Sequence, residues 1–448
     1  MADSKPPVAF IGLGAMGFGM ATHLVRRGYP VTGFDVWPPT LERFRQAGGQ
    51  TADSPAAAVS GKPLCVCMVA TAQQAESVLL DGPNPAAPAL VQGATLLVCS
   101  TVPCDWIQSL QRRLKEELGR GDVLLVDSPV SGGAARAAEG TLSIMAGLSD
   151  ESEAGLAKAR PLLEELADPQ KLYIVKGGVG AGSNMKMAHQ VLAAVQILAA
   201  SEAMGFAQKL GLDLAEAQKG VLESEAWNWM FEHRTPRMLT QFQPVASAVN
   251  IIVKDTNIIL DEARRGGFPV PMTNQAAEGY REAVDKGYGP DDDSSLLRLY
   301  TEQGGSGEGS GKPDQEKLGL VVELLKGINL CAAAESLSVA HAVGLELDQV
   351  LDLCVNAAGS STMLKQHGPE FVTALRARAA GEPAGATESA PRISEVVEKL
   401  ESVLEEAARV GVRLPLGQRA LEVCRGASSL PIKALVDGWA IPKGTKSD

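Results

Sequence analysis

Aromatic side chains are scarce in this chain, only 4% of 448 residues, and its five histidines and seven cysteines fall into no cluster with metal-ligand spacing. A structural zinc site needs such a cluster, so no residue is assigned to a metal. Cys65 and Cys67, the closest pair, sit two apart in a strand-like run and read as small hydrophobes on one face. Basic charge is also short: 41 Lys and Arg stand against 53 Asp and Glu, a net charge of −12. That balance argues against nucleic acid or an anionic membrane surface as the main partner. No uninterrupted apolar run reaches the roughly 20 residues of a membrane span. A strand-like run starts within a few residues of Met1, which leaves no room for a targeting peptide. The expectation is a soluble, cytoplasmic protein of two or three domains.

What is present begins with glycine. Val8–Ile11 reads as a buried strand and enters Gly12-Leu13-Gly14-Ala15-Met16-Gly17. A helical segment to Arg27 follows, then a second strand, Val31–Phe34, ending at Asp35. Glycines at this spacing, between a strand and a helix, let the chain turn sharply, let backbone approach a pyrophosphate, and let helix pack on strand. The helix N-terminus then offers free N–H groups to phosphate. Asp35 falls where an acid holds the ribose hydroxyls of NAD. It would repel the extra phosphate of NADP, and Val36-Trp37-Pro38 brings no arginine to neutralise one. NAD is therefore expected, NADP less so.

Further strands are expected at Leu64–Val69, Thr95–Cys99, Val123–Val126, Ser143–Ala146 and Leu172–Val175, separated by helical or loop segments that include Trp106–Leu118. The alternation predicts a doubly wound, mainly parallel sheet. One strand is followed by Ser100-Thr101-Val102-Pro103, another by Asp127-Ser-Pro-Val-Ser131-Gly132-Gly133. In the second loop a hydroxyl and backbone N–H groups can converge on a carboxylate, although a bare Ser-Gly-Gly is also compatible with a simple turn.

After Gly180-Ala-Gly182-Ser-Asn-Met185, the run Lys186–Leu210 is rich in Ala, Leu, Val and Met and reads as a long buried helix. A lysine is costly to desolvate there unless its charge or its amine is used. His189 and Gln190 share its helical face, three and four residues on. Helical pattern continues to about Leu299, through Trp227, Trp229 and Phe231, which suit helix packing or a pocket wall, and through Lys254-Asp255.

Residues 301–316 read as a flexible linker. Beyond it the sequence repeats: the stretch from Ala200 aligns with that from Ala333, and the stretch from Asp261 with that from Glu405. In the second copy Gly319 stands for Lys186, Glu323 for Gln190, and Glu398-Lys399 for Lys254-Asp255. The expected organisation is a dinucleotide-binding domain over 1–178, a helical domain over 179–300, the linker, a degenerate second helical domain over 317–435, and a tail over 436–448. Gly381–Pro391 reads as a loose loop.

Four signatures in order, Gly12-Leu-Gly-Ala-Met-Gly17, Asp127-Ser-Pro-Val-Ser-Gly-Gly133, Gly182-Ser-Asn-Met-Lys186 and Lys254-Asp255, resemble the β-hydroxyacid dehydrogenase family. That family includes 3-hydroxyisobutyrate, tartronate semialdehyde, threonate and 6-phosphogluconate dehydrogenases, and the resemblance covers about residues 7–300. It implies that Lys186 is the catalytic lysine and that Ser131, Gly132 and Gly133 hold the substrate carboxylate. It also implies that Val69, Ala70, Thr101 and Lys254 lie along the nicotinamide half of the cofactor. The family usually has Asn where this chain has Gln190. His189-Gln190, with Trp229-Met-Phe-Glu, is most similar to the threonate branch and points to a more hydroxylated acid.

The expected reaction is oxidation of a hydroxyl on a small hydroxy acid, with Lys186 as general base and, in reverse, general acid. Gln190 would hydrogen-bond a substrate hydroxyl. Two other readings are a non-catalytic NAD-binding scaffold and an imine reductase. The presence of Lys186 and Ser131 disfavours the first, and the lysine disfavours the second. Single-copy members of the family commonly dimerise through their helical domains. The second copy is therefore expected to act as an internal partner within a monomer, the alternative being a homo-oligomer.

Overall fold

The computed structural model describes residues 5–302, 311–380, 392–427 and 430–439. Residues 303–310 of the expected linker, the loop 381–391 and residues 440–448 of the expected tail lie outside the described residues. The chain divides into two compact units, Met1–Lys186 and Met187–Asp448.

The first unit is built on a sheet with the order β3-β2-β1-β4-β5-β6-β8-β7, and β9 pairs with β8. Its strands are β1 (Val8–Ile11), β2 (Val31–Phe34), β3 (Gln50–Thr51), β4 (Leu64–Cys67), β5 (Thr95–Val98), β6 (Leu124–Asp127), β7 (Val130–Ser131), β8 (Leu142–Leu148) and β9 (Ala167–Ile174). The pairings from β3 through to β6 are all parallel, while β6–β8 and β7–β8 are antiparallel. Successive residues of the parallel strands go to opposite faces. Val8, Phe10, Val66, Leu97 and Val126 join one core, and Ala9, Ile11, Cys65, Cys67, Leu96 and Val98 join the other. Burial on both faces explains why these strands read as continuous apolar runs. Helices α1 (Ala15–Arg26), α2 (Cys104–Arg112), α3 (Gly133–Glu139) and α4 (Glu153–Leu166) cover the sheet. The segment Trp106–Leu118 is helical: α2 runs to Arg112 and the chain continues in a wide π turn over Arg113–Glu117.

The second unit is helical. Helix α5 (Ala181–Lys209) leads into it, followed by α6 (Leu214–Leu222), α7 (Trp229–Met238), α8 (Val249–Gly266) and α9 (Pro271–Asp285). The same succession returns as α10 (Asp314–Ala342), α11 (Leu347–Asn356), α12 (Thr362–Ala379), α13 (Ile393–Arg409) and α14 (Pro415–Arg425). Both leading helices have 29 residues. Helix α5 is long and apolar enough to cross a membrane, but 94% of its most apolar stretch is buried in protein.

Contacts between the two helical halves come in matched pairs. Gln196 Nε2 donates to the Gly359 carbonyl at 3.0 Å, and Asn329 Nδ2 to the Ala226 carbonyl at 3.4 Å. These are equivalent positions read in opposite directions. Asn228 forms an antiparallel bridge with its own counterpart, Ser361, and each caps the helix that follows it. The halves are thus related by a local pseudo-two-fold arrangement, the self-complementary pattern of an isologous interface.

Candidate functional site

Loops at the carboxyl ends of the parallel strands build the first part of the site. Gly12 has φ +92, and a Cβ there would lie 2.2 Å from the Met68 carbonyl oxygen, so only glycine makes this turn. A Cβ on Gly17 would lie 2.0 Å from the Gly12 oxygen and 3.2 Å from the Phe10 ring, so the third glycine lets α1 start against β1. Gly14 faces open space where a side chain would stand, as the approach of a pyrophosphate requires. Asp35 ends β2 with its carboxylate tied down: Leu13 N–H donates to Oδ2 at 2.7 Å and Trp37 N–H to Oδ1 at 2.9 Å. Val69 N–H donates to Ser100 Oγ at 2.9 Å, joining the loops after β4 and β5. The glycine loop, Asp35 and Val69 are therefore brought together, with Ala70 and Thr101 on the loops after β4 and β5. These residues fit a dinucleotide.

The second part surrounds β6. Asp127 at its end is fully buried. It accepts from Gly180 N–H at 3.0 Å, Ser183 N–H at 2.8 Å and Ser183 Oγ–H at 2.7 Å. Burial pushes the Asp127 carboxyl up to about 6, against the pull of the Ser183 hydroxyl and the N–H groups of Ser183, Gly180 and Gly182. Gly182 is needed at this start because a Cβ would meet the carbonyls of Asp127 and Met145 at 2.4 Å. The helix accordingly begins at Ala181, earlier than the apolar run suggested, and Lys186 stands in its second turn, only 5% exposed. Ser131, four residues after Asp127, is buried opposite Ser143, and Gly132 and Gly133 follow with φ +137 and +74. Asp127, four residues ahead of Ser131, thus anchors the start of the lysine helix to the end of β6. Sequence reasoning quoted Asp127 as part of a motif without giving it a role, although a strand-ending acid before such a loop was a usable signal.

Within the helical unit, Gln190 Nε2–H donates to Asp255 Oδ2, Asp255 Oδ1 lies 3.0 Å from Lys254 Nζ, and His189 Nδ1 lies 3.1 Å from Gln190 Oε1. Lys254, Asp255, Gln190 and His189 form one chain of contacts, the last three buried. In the second copy the matching positions still touch, with Lys399 Nζ 3.0 Å from Glu323 Oε1, but the chemistry is that of a partly exposed ion pair. The tryptophans are engaged elsewhere. Trp229 stacks on His233 with ring centroids 3.6 Å apart, Trp227 donates to Glu232 beneath Lys365, and Phe231 is core. Among the described residues no cluster of three or more His, Cys, Asp or Glu could hold a metal.

A sequence profile for the NAD binding domain of 6-phosphogluconate dehydrogenase matches residues 7–178. A second, for the NAD-binding domain of NADP-dependent 3-hydroxyisobutyrate dehydrogenase, matches 180–300 and 316–431. The chain belongs to the β-hydroxyacid dehydrogenase family. As a β-hydroxyacid dehydrogenase it is an NAD(P)-dependent oxidoreductase acting on CH–OH donors. It is similar to an L-threonate dehydrogenase of Cupriavidus necator, 39% identical over 295 residues that make up 65% of this chain and 95% of the relative. Among solved structures it is similar to a 3-hydroxyisobutyrate dehydrogenase from Salmonella typhimurium, at 32% identity and TM-score 0.60, covering 66% of this chain and all of that one. The 6-phosphogluconate dehydrogenase of Plasmodium falciparum shares the fold over 94% of this chain and 93% of its own, at TM-score 0.66 and 16% identity. Unlike the first two matches, this dehydrogenase fold extends through the second helical copy.

Proposed function

We propose that this chain oxidises a hydroxyl of a small polyhydroxy acid of the L-threonate type, with NAD as cofactor and Lys186 as general base. The observation that carries the reading is the buried Lys186, one turn ahead of Gln190, on a helix whose start Asp127 pins to the end of β6. NAD supplies the hydride acceptor when bound. The amine of Lys186, in its neutral form, accepts the proton of the substrate hydroxyl and returns it in the reverse direction. The Ser131 hydroxyl and the N–H groups of Gly132 and Gly133 hold the carboxylate, which fixes the carbon to be oxidised in one orientation. Gln190 hydrogen-bonds a substrate hydroxyl from the face of α5 that carries Lys186, and Lys254 serves the nicotinamide half of the cofactor.

The preference for NAD follows from Asp35. Its carboxylate is held by two N–H groups, those of Leu13 and Trp37. An added phosphate would meet the negative charge of Asp35. The threonate class is supported by His189-Gln190 and by the Cupriavidus necator relative. A panel of hydroxy acids with three to six carbons, assayed for NAD reduction, tests the reading. Turnover confined to acids without a second hydroxyl counts against it.

The second helical copy is read as an internal partner. It keeps the packing face and has lost the positions of Lys186, Gln190 and Lys254-Asp255. A tether on one chain gives such a partner a high effective concentration.

A further inference from the structure

Gln190 is held from both ends of its amide. Asp255 is a carboxylate and can only accept, so the amide must turn Nε2 toward it. That orientation puts Oε1 toward His189 Nδ1, 3.1 Å away. An amide oxygen cannot donate, so the imidazole must carry its proton on Nδ1. Lys254 Nζ lies 3.0 Å from the other Asp255 oxygen, so both oxygens of this side chain are engaged. The second helical copy closes the back of this chain. A Cβ on Gly359 would stand 2.9 Å from Leu192 Cδ1 and 3.5 Å from His189 Cδ2, so a bare backbone there lets α5 and the imidazole pack against it.

We infer that Asp255 and His189 lock the Gln190 amide so that it meets the substrate only as a hydrogen-bond donor, through its second N–H, and that this selects acids carrying a further hydroxyl oxygen. The inference rests on the proposal that Gln190 lines the substrate position one turn beyond Lys186. A free glutamine could turn over and offer either a donor or an acceptor. The locked one reads an oxygen lone pair and gains nothing from a methyl group or a hydrogen in its place. His189 is then a positioning residue: it acts on the substrate through Gln190.

Two measurements separate the lock from the substrate reading. In protein labelled with nitrogen-15 in histidine, the ring signals of His189, identified by their loss in His189→Asn, should show the Nδ1-protonated tautomer. An Nε2-protonated ring overturns the lock, whatever the kinetics. The second is kcat/KM for L-threonate against analogues that each lack one of its hydroxyls. The wild-type enzyme should prefer threonate over one analogue by about tenfold, the worth of one hydrogen bond in a buried place. Gln190→Leu should bring the two near parity. Gln190→Glu, an acceptor where a donor is needed, should lose threonate turnover. His189→Leu should narrow the preference, and His189→Asn, whose amide can donate to Gln190, should restore it. An unchanged preference in Gln190→Leu, or wild-type threonate turnover in Gln190→Glu, overturns the inference. If none of these acids is oxidised while His189 shows the Nδ1 tautomer, the substrate assignment fails and the lock stands.

Discussion

Glu202 and Glu335 occupy the same place in the two helical copies, and each caps a helix of the other. Glu202, on α5, accepts from the N–H groups of Leu416 and Gly417 at the start of α14. Glu335, on α10, accepts from those of Met272 and Thr273 at the start of α9. Both carboxylates are fully buried. Each capped helix begins with proline, which has no N–H, so the next two N–H groups are the ones that need an acceptor. A carboxylate at a helix start also meets the positive end of its dipole.

The reciprocity predicts a single-chain protein in solution. Light scattering coupled to size exclusion should give a mass near one chain, 46.8 kDa. A chain cut near residue 300 should expose the apolar face of α5 and α9, and should dimerise or aggregate. A two-chain or four-chain mass for the full protein, with contacts through residues 182–300, would remove the internal-partner reading.

Glu202 also predicts a pH dependence. Burial pushes its carboxyl from an ordinary 4.5 up to about 7, opposed by the N–H groups of Gly417 and Leu416 and the hydroxyl of Tyr300. The folded state therefore holds this proton more tightly than the unfolded one. Its contribution to stability is full below 4.5 and is lost as pH rises through about 7. Melts across that window should fall by a few degrees in the wild type and by less in Glu202→Gln. Equal slopes for the two proteins would show that Glu202 does not titrate there.

Asp127→Ala should destabilise the first unit by about 1–3 kcal/mol, because it leaves buried N–H groups of Gly180 and Ser183 without an acceptor. Since Asp127 sets the start of α5, which carries Lys186, turnover should fall further than the loss of stability explains. Denaturant titration and assay of the folded fraction check the two effects separately. Normal kcat in the folded fraction would deny the positioning role.

The cofactor prediction is a switch. Asp35→Ser combined with Val36→Arg should raise kcat/KM for NADP and lower it for NAD, because the repelling charge is replaced by a cation. Comparison of the two cofactors at saturating substrate checks it. A wild-type enzyme already more efficient with NADP contradicts the role given to Asp35.

Much of this was legible in sequence because it is written locally. The spacing of Gly12, Gly14 and Gly17 between two apolar runs is a backbone requirement, and the structure places each glycine where a Cβ would collide or where open space is needed. The repeat of the helical stretch could be read directly from aligned residues. Other features depend on contacts between residues far apart in the chain. Asp127 reaches Ser183, 56 residues on, and Gln190 reaches Asp255, 65 residues on. The Glu202 cap joins residues more than 200 apart. Periodicity reports which face of a helix is buried, not which polar group will meet it there.

The central claim is that Lys186 works on the substrate while the glycine loop works on the cofactor, and one paired measurement on Lys186→Ala tests it. NAD affinity, followed by calorimetry, should stay within about threefold of the wild type, while kcat for threonate oxidation should fall by about 100-fold or more, as expected for loss of a general base. Near-normal turnover in that variant, with NAD still bound, would contradict the account.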